Sequence, residues 1–479
     1  MPGIVISTQT RSGRGTLATP ASARYFVVGL FDRGPTVPTL IASRAELEAV
    51  FGPRVGYSFA WDDLEVFFRE GGGEAWVRRV VGPGATRGVL TLPNGDGDPA
   101  LLVRATSPGA WSQTVTVDVA AGALAGTVTV SVYTGGDLIA RYANTADIGQ
   151  LARSMSASGM LQVADLGGGL PAVTGGPIAL SAGADDRAAV TTAAMLTAAE
   201  DFTIDYGVGA IAIPGAEAAA AGPALLTLAA DTRRIALLHG GREDTGAQIA
   251  ATAQGLLDPR GASLSLYHPW VQAPALAGTA PRVVPPTGYV AAKRAVAHRL
   301  VGPWRVPAGE IAAADYISGP SQRLTTAEAE ALDAAGVSVI RQFSTSTQLY
   351  GYRSLSTDED NYPLAAKQDA TNAVVELIER LLQGRVFGSV DSGGQFYSAV
   401  RGAIVGELDV IRAAGGLFPM LAADGAEVDP GYSVVVDATN NTIENLTRGV
   451  VNVDVGLRWA PTATMFFVTL TNVAIDATL

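Results

Sequence analysis

Short apolar runs that alternate with helix-like segments constrain the fold of this 479-residue chain more than any other feature. Three such runs, at residues 209–213, 234–238 and 336–340, are separated by Ala-rich stretches. A Thr-x-x-Glu capping box at residues 325–328 marks the start of one intervening helix. Short continuous apolar runs suit strands buried on both faces, which belong to parallel sheets covered by helices. The pattern predicts a central, mostly parallel α/β module at residues 183–345.

A second α/β pattern lies closer to the N-terminus, at residues 23–90. Its apolar runs at residues 25–31 and 75–81 have the length of buried strands. The Ser-x-x-Glu spacing at residues 43–46 is typical of a helix N-terminus, because the two side chains can accept backbone N–H groups reciprocally. An amphipathic stretch follows at residues 61–69. We expect an α/β segment here.

Residues 91–182 have a different texture. Polar and apolar residues alternate at residues 114–119 and 127–133, which is the period of a strand with one buried face. Glycine-rich turns separate these stretches. The pattern predicts a β-rich insertion.

The Asn-x-Asp-x-Asp spacing at residues 94–98 is similar to the start of a calcium-binding loop. Such a loop needs glycine at its sixth position and glutamate at its twelfth, where this chain has Pro99 and Ala105. The match therefore fails, and a type I′ hairpin or another tight turn at Asn94-Gly95 is the better interpretation.

Residues 346–462 combine two helical patterns with later strands. Apolar residues recur at helical spacing over residues 374–382 and again over residues 396–411. Strand-like runs follow at residues 432–436 and 449–457. This order of elements predicts an α+β domain.

Both ends of the chain also read as β-strands. Apolar and β-branched residues dominate residues 3–8 and 463–475, and a linker at residues 11–15 follows the first stretch. A short strand on a flexible stem has to pair with a sheet edge, in its own subunit or in a neighbouring one. Both possibilities are open for these arms, residues 1–22 and 463–479. The side chains that would line the paired strands are Ile4, Val5, Ile6, Phe466, Phe467, Val468, Leu470, Val473 and Ile475.

Composition excludes several classes of function. The chain has no cysteine, which excludes disulfides, thiolate chemistry and zinc–cysteine clusters. Its net charge of −12 is spread without a basic stripe, so nucleic acid is not expected as a direct partner. No secretory signal or long apolar span is apparent, and we expect a soluble protein without membrane insertion.

The sequence lacks the motifs of an enzyme or a cofactor-binding protein. Its three histidines, His239, His268 and His298, are far apart, so packed histidines are the simpler interpretation. The turn at residues 238–244 follows a strand, but the glycine patterns of phosphate-binding loops are missing. Acidic residues 358–360 are more typical of a solvated loop than of a cation site. We predict no catalytic, cofactor-binding or metal-binding residues.

The remaining motifs are structural, and together they resemble the contractile-tail sheath proteins of bacteriophages. The similarity runs along the whole chain in the family's order, with two departures. The family's basic pair is replaced at residues 366–369, and the insertion at residues 91–182 matches weakly apart from its first turn. The blocks that carry it are residues 25–35, 41–43, 51–52, 67–72, 77–80, 105–112, 267–270, 284–291, 302–308 and 350–356.

This resemblance implies a structural protein, not an enzyme, that polymerises as stacked hexameric rings around a rigid tail tube. It implies a degenerate subtilisin-like central module, a β-rich outer insertion, and a C-terminal α+β sheath domain with exchanged terminal strands. The other expected partners are the tube protein, the baseplate and the tail terminator, in a virion tail assembled in the host cytoplasm. No cofactor is expected.

The resemblance also implies roles for particular residues. In this family the terminal arms pair with a sheet in the C-terminal domains of neighbouring subunits, which favours exchange between subunits. Gly13 and Gly15 would then belong to the hinge linker. Contacts to the tube come from the C-terminal domain in this family. The candidates, on the face of a helix at residues 369–380 that we expect to be exposed, are Asp369, Asn372, Glu376 and Arg380.

Three alternatives remain. The sheath of a bacterial contractile injection system would share the fold and the motion, and gene neighbourhood would separate it from a phage sheath. A static shell or tube protein would form one lattice and never two. An α/β hydrolase or protease is the alternative from a different class, because a catalytic triad assembled across the fold would leave no local motif.

Overall fold

The computed structural model describes residues 21–276, 280–344, 346–465, 468 and 470. These residues fall into two compact units. The first holds the described residues up to Leu300 together with Pro307–Ala365. The second holds Val301–Val306 and the described residues from Ala366 onward. The chain therefore passes between the units three times.

The first unit begins with an α/β segment, continues with a β-rich insertion and ends with a second α/β segment. The first α/β segment comprises β1 (Tyr25–Gly29), β2 (Thr39–Ile41), α1 (Arg44–Phe51), α2 (Ala60–Arg69) and β3 (Ala75–Arg79). The insertion comprises β4 (Val89–Pro93), β5 (Pro99–Ala105), β6 (Val115–Ala121), β7 (Val128–Thr134), β8 (Asp137–Thr145), α3 (Ile148–Ser156), β9 (Leu161–Asp165) and β10 (Ile178–Ala179). The second α/β segment comprises α4 (Thr192–Ala199), β11 (Gly209–Ala212), α5 (Ala218–Asp231), β12 (Arg234–His239), α6 (Gly246–Gly255), β13 (Leu264–His268), β14 (Val271–Ala273), β15 (Arg282–Val284), α7 (Thr287–Leu300), β16 (Gly319–Pro320), α8 (Thr326–Ala334), β17 (Val337–Gln342) and β18 (Thr347–Tyr350).

One eight-stranded sheet joins the two α/β segments, in the order β18-β17-β13-β12-β11-β1-β3-β2. The six inner strands run parallel, and β2 and β18 pair antiparallel at the two edges. In β1, Tyr25 lies opposite Ala75 on one side and Ala210 on the other. The prediction of a mostly parallel sheet is confirmed. The strands expected at residues 23–90 belong to this same sheet.

Helices cover both faces of the sheet, because successive side chains of a buried strand point to opposite sides. Phe26 faces a core that contains Phe202 and side chains of α4, α5, α6 and α8, such as Leu225. Tyr25 points the other way and packs on Phe67 of α2, with ring centroids 5.1 Å apart. Both faces are therefore closed by apolar contacts.

The insertion has its own core, between a three-stranded sheet (β4-β5-β9) and a four-stranded sheet (β10-β6-β7-β8). Of the two possibilities for Asn94-Gly95, the type I′ turn is wrong and another tight turn is found, in which the N–H of Gly97 donates to the carbonyl of Asn94 at 3.2 Å. Gly97, not Asn94 or Gly95, has a positive φ of 92°. The Asn94 side-chain oxygen accepts from the N–H groups of Asp96 and Asp98, at 2.9 and 2.8 Å. This side chain stabilises a longer hairpin loop between β4 and β5.

The second unit is an α+β arrangement, as the order of its sequence patterns predicts. Its two long helices pack around a core that includes Ile404, Leu408 and Val434. Its elements are α9 (Ala365–Gln383, whose first residue ends the first unit), α10 (Gln395–Ala413), β19 (Met420–Leu421), β20 (Glu427–Asp429), β21 (Tyr432–Val435), α11 (Ile443–Thr447) and β22 (Asp454–Leu457). The strands form two separate antiparallel pairs, β19–β20 and β21–β22.

The strand expected at residues 449–457 begins only at Asp454. Asn452 is the reason, because neighbouring side chains take its backbone groups. Its N–H donates to Asn441 Oδ1 at 2.6 Å, and its carbonyl accepts from Asn441 Nδ2 at 3.0 Å. The N–H and carbonyl of Asn452 are therefore unavailable for hydrogen bonds to a neighbouring strand.

Val301–Val306, which we call the strap, is the only short segment that the second unit takes from the middle of the chain. Its Trp304 packs against the core of the second unit. Gly302 and Gly416 both lie against the indole, and a Cβ at either position would be 2.5 or 2.7 Å from a ring carbon. The strap therefore makes the fold of the second unit depend on residues far from it in sequence.

Candidate functional site

The carboxyl ends of the parallel strands are where open α/β sheets usually bind ligands. Here an aromatic cluster fills that edge. Phe59 and Trp270 meet edge to face with centroids 5.0 Å apart, and the ring of His239 lies 5.2 Å from that of Trp270. Trp270 Nε1 donates to the carbonyl of Gly240 at 3.0 Å. The place of an active site is thus packed with side chains.

His239 is held in its neutral form within this cluster. Its Nε2 accepts from the N–H of Gly215 at 3.0 Å, and its Nδ1 donates to the Gly240 carbonyl at 2.8 Å. Burial lowers the pKa of His239 to about 4. Both ring nitrogens are occupied by backbone groups, so this imidazole positions two turns and has no free nitrogen for proton transfer.

The other two histidines lie on different elements. His268 is at the end of β13, and His298 is on α7, where its Nδ1 lies 3.2 Å from Ser22 Oγ. Burial lowers the pKa of both. The structure does not bring the three histidines together as a metal site, which fits the interpretation of packed histidines.

The turn after β12 uses its own side chain to satisfy its backbone. The N–H of Gly241 donates to Asp244 Oδ2 at 2.6 Å. A Cβ at Gly240 would be 2.6 Å from the same carboxylate oxygen, so a larger residue would displace the Asp244 side chain. A carboxylate therefore stands where a phosphate-binding loop would place the phosphate, and residues 238–244 form a plain strand-to-helix turn.

The acidic residues 358–360 close a loop. Asp358 accepts from the backbone N–H of Asn361 at 3.2 Å and from its side-chain amide. Within the part of the chain that the structure describes, no group of three or more histidine and acidic side chains is arranged to hold a metal ion. None of the described helices is long and apolar enough to cross a membrane.

A buried charge cluster on α2 is the strongest polar feature that the sequence analysis missed. Glu70 accepts from three successive backbone N–H groups, those of Asp315, Tyr316 and Ile317, each at 2.8 Å. Its carboxylate also lies 2.7 Å from Lys293 Nζ on α7. These bonds fix a loop and a helix against α2, so the cluster serves folding rather than acid–base chemistry.

Asp63 is a second buried carboxylate, on α2, and caps α7 from outside the helix. It accepts from the N–H of Gly288 at 2.6 Å and from the hydroxyl of Tyr25 at 2.7 Å. Burial raises the pKa of Asp63 to about 7. In the sequence, these buried carboxylates are indicated only by the high density of acidic residues at 62–70. An amphipathic helix with a solvated face would show the same density.

The β21–β22 pair is the clearest candidate for a surface that another chain completes. Its antiparallel ladder runs from Tyr432 opposite Leu457 to Val435 opposite Asp454. None of the other described strands joins it. A two-stranded sheet is only marginally stable by itself, and its outer edges carry free backbone donors and acceptors.

Most residues proposed for strand exchange lie outside the described residues. These are Ile4, Val5, Ile6, Phe466, Phe467, Val473 and Ile475, together with the hinge glycines Gly13 and Gly15. Val468 and Leu470 are described, with exposed fractions of 78% and 91%. Residues 461–465, which precede them, have no regular secondary structure. The exchange itself stays a prediction.

The structure corrects part of the expected tube-facing surface. Asp369 and Asn372 on α9 are only 2% and 5% exposed, so they do not lie on an exposed face. Polar residues were expected on the solvent-exposed face, but a polar side chain can be buried when it has a hydrogen-bond partner. Asn372 Oδ1, for example, accepts from Gln368 Nε2 at 2.8 Å. Glu376 is half-buried, and Arg380 is exposed.

Exposed apolar side chains are concentrated in the second unit. Half of the large hydrophobic side chains that are exposed among the described residues lie there, although it is about a third as long as the first unit. They include Val386, Phe387, Leu421 and Ile443. Such a surface is typical of a protein that buries it against a partner.

Comparisons with known proteins bear on the fold of the chain. No family model matches the chain, and no curated protein matches its sequence. Solved structures do match. A sheath tail protein from Desulfitobacterium hafniense is 14% identical, with a TM-score of 0.60, covering 91% of this chain and 94% of that one. A sheath tail protein from Listeria innocua is 13% identical, with a TM-score of 0.61, covering 87% and 89%.

A third match comes from the sheath complex, in its contracted state, of an extracellular contractile injection system called PVC. It is 16% identical, with a TM-score of 0.55, and the match covers 98% of this chain and 97% of that one. The likeness therefore extends over nearly the full length of both chains. This chain has the fold of tail sheath proteins.

Proposed function

We propose that this chain is the structural subunit of a contractile tail sheath. It would polymerise as stacked hexameric rings around a tail tube and contract to drive the tube through the envelope of a target cell, enabling genome ejection. The observation that carries the proposal is the end-to-end fold likeness to a chain from a contracted sheath complex. The aromatic cluster that fills the usual ligand edge supports a structural role over an enzymatic one.

Contraction in this proposal is driven by the burial of interface area. The extended polymer would be metastable, and a signal from the baseplate would let it collapse into a wider lattice with more buried surface. Burial of apolar surface is favourable by about 25 cal/mol per Å². The exposed apolar side chains of the second unit supply surface of this kind. The proposed partners are other copies, the tube protein, the baseplate and the terminator, in a virion tail assembled in the host cytoplasm.

Strand exchange would link the copies. The arm that contains Ile4, Val5 and Ile6, and the arm that contains Phe466, Phe467, Val468, Leu470, Val473 and Ile475, would add to the open edges of β21–β22 in neighbouring copies. Each backbone hydrogen bond contributes about 1 kcal/mol net, so a strand of several bonds is a strong tie. Gly13 and Gly15 would let the linked bodies rotate during contraction.

The proposed contact with the tube is now restricted to Glu376 and Arg380 on α9. These two of the four candidates keep solvent access in the single chain. Polar contacts of this type are weak at an exposed surface, which suits a sheath that has to slide along its tube.

Electron microscopy of negatively stained, purified protein at high concentration tests the proposal. We expect hollow tubes with six-fold end views, and their rise and twist would identify the state formed. Monodisperse particles at every concentration, with and without a tube protein encoded nearby, would contradict the proposal.

Deletion of residues 1–15 tests the arm separately. The variant should remain a folded monomer that no longer polymerises, and a Thr10→Asp variant, which leaves Ile4, Val5 and Ile6 intact, is its control. Normal assembly of the deletion variant, or loss of its folded structure, would refute strand exchange.

The sheath of a contractile injection system is the second candidate. It is supported by the match to the PVC sheath complex, which covers 98% of this chain at a TM-score of 0.55. Capsid and portal genes beside this gene would indicate a phage, and toxin and ATPase genes would indicate an injection system.

A further inference from the structure

Val386 and Phe387, which we call the knob, project from the loop between α9 and α10. Phe387 is fully exposed, and Val386 is 59% exposed. Phe387 also has a φ of 66°, in the left-handed region that bulky side chains rarely adopt. Neither the backbone strain nor the exposed aromatic ring is compensated by a contact within this loop. Both features point to a role in binding another molecule.

The loop holds the knob in this position through well-defined contacts. Gly388, the next residue, lies against Phe396, and a Cβ there would be 3.0 Å from the ring. Asp391 caps α10 by accepting from the N–H groups of Gln395 and Phe396, at 3.0 and 2.7 Å. Arg385 donates to the carbonyl of Leu381 at 2.8 Å. The knob therefore stands at the N-terminal end of α10 on an anchored loop.

A second apolar feature lies on the β19–β20 hairpin, which we call the hairpin patch. Its exposed apolar side chains are Phe418, Met420, Leu421 and Val428. The hairpin is tied to the last turn of α10 by the ion pair of Arg412 with Glu427, at 2.5 Å. The patch is therefore fixed at the C-terminal end of the same helix.

The two features lie at opposite ends of one rigid element. α10 has 19 residues, and at a rise of 1.5 Å per residue its ends are about 28 Å apart. One copy cannot bring its own knob to its own hairpin patch, but a second copy can. A contact between two different surfaces of identical chains is heterologous and propagates into rings or filaments.

The charges near the two features also favour this contact. Arg380 is exposed in the last turn of α9, beside the knob loop, and Arg385 lies at the base of the knob. The tip of the hairpin carries the exposed Asp424, whereas Glu427 and Asp429 on β20 are already paired with Arg412 and Arg458 of the same chain. Opposite charges at the rim of an apolar contact set its orientation and increase its rate of formation.

We propose that the knob of one copy packs on the hairpin patch of a second copy, as a head-to-tail contact between subunits. The inference rests on the proposed self-assembly and adds to it a second type of contact, distinct from strand exchange. Phe387 is the anchor, because aromatic side chains that become buried at the centre of an interface dominate its affinity.

A matched pair of variants provides the first test. Phe387→Ser removes the anchor, and Leu124→Ser, in the β6–β7 loop of the insertion, removes an apolar side chain that is 63% exposed and lies in the other unit. We expect Phe387→Ser to raise the critical concentration for polymerisation by roughly ten- to thirtyfold. Leu124→Ser should leave it unchanged. Sedimentation of the purified full chain measures both, and circular dichroism checks that each variant is folded.

Mixing two defective variants identifies the partners in the contact. Phe387→Ser lacks the knob, and Leu421→Asp places a charge in the patch. Each should fail to self-associate below the raised critical concentration. A mixture should form heterodimers, because the intact patch of the first variant can bind the intact knob of the second. Mass photometry of the mixture counts these species.

The outcomes separate this inference from the proposed function. If the full chain never polymerises, the proposed function fails. If it polymerises and Phe387→Ser assembles as well as Leu124→Ser, the knob contact is refuted and the sheath proposal is untouched. A mixture that forms no heterodimers would show that the knob binds some other surface, such as a tube protein, and would also refute the contact.

Discussion

The two compact units of this chain differ in how completely they bury their own apolar surface. The first unit packs both faces of an eight-stranded sheet and satisfies Glu70 with Lys293 and three backbone N–H groups. The second unit has a small core around Ile404 and leaves Phe387 and Leu421 in solvent. For its length, the second unit leaves about three times as many large apolar side chains exposed as the first.

This difference separates stability from assembly. Variants in the core of the first unit should change the free energy of unfolding, while variants on the surface of the second should change polymerisation and leave folding intact. The following predictions test where that separation holds.

The largest effect is expected from Lys293→Met in the first unit. Removing the ammonium leaves the Glu70 carboxylate buried without its cation, and breaking a buried ion pair in this way costs about 3–5 kcal/mol. Urea denaturation at pH 7 measures the loss. A double variant, Lys293→Met with Glu70→Gln, should recover part of it, because the uncompensated charge is gone. Equal loss in both would show that packing, not charge, is at stake.

The next largest effect is expected from Trp304→Ala in the strap. The partly buried indole fills space between Gly302 and Gly416, so its removal should cost about 2–3 kcal/mol. The loss should be confined to the second unit. Hydrogen exchange should therefore accelerate in α10 and β21 and stay unchanged in β12. Faster exchange in both units would contradict their independence.

A smaller effect is expected on acidification. The pKa of His239 is about 4 in the folded chain and about 6.5 when unfolded, so the unfolded state takes up its proton first as the pH falls. Stability should drop by about 2 kcal/mol between pH 7 and pH 5 on account of this residue. Asp63, with its raised pKa, acts in the opposite direction over the same range. The comparison is therefore between wild type and His239→Gln, which keeps an acceptor for Gly215 and should show a smaller drop. Parallel pH profiles would refute the role of His239.

The smallest effects are expected from two helix caps, one in each unit. Thr325 caps α8 as part of a complete capping box, and Asp391 caps α10. Loss of the Thr325 cap costs about 1 kcal/mol. Thr325→Ala should destabilise the first unit alone. Asp391→Ala should loosen the knob loop and also weaken polymerisation, which sedimentation measures. Unchanged polymerisation of Asp391→Ala would show that assembly does not depend on the hydrogen bonds from Asp391 to α10.

Periodic patterns predicted the central sheet well because burial on both faces leaves a clear signal. The runs at residues 209–213, 234–238 and 336–340 all became inner strands, and the capping box at Thr325 formed in full. Where side chains compete with the backbone, the patterns failed. Asn94 stabilised a longer loop in place of a type I′ turn, and Asn441 took the backbone groups of Asn452.

The candidate surfaces were harder to predict for a physical reason. Polar residues on a helix do not identify its solvent face when tertiary partners can satisfy them, and Asp369 and Asn372 are buried for this reason. The knob could have been noticed as a Val-Phe-Gly triplet between two amphipathic helices, but its exposure depends on how Gly388 packs on Phe396. The burial of the carboxylates Asp63 and Glu70 could be predicted only by knowing that α7 packs against α2.

The position of the strap in the chain has a consequence for folding during synthesis. All strands of the central sheet, through β18, leave the ribosome before α9 and α10 do. Trp304 is therefore synthesised well before the core against which it packs. Domains of a nascent chain generally fold as units from the N-terminus. The surface proposed to join subunits therefore takes shape after the central sheet, which delays contacts between unfinished copies.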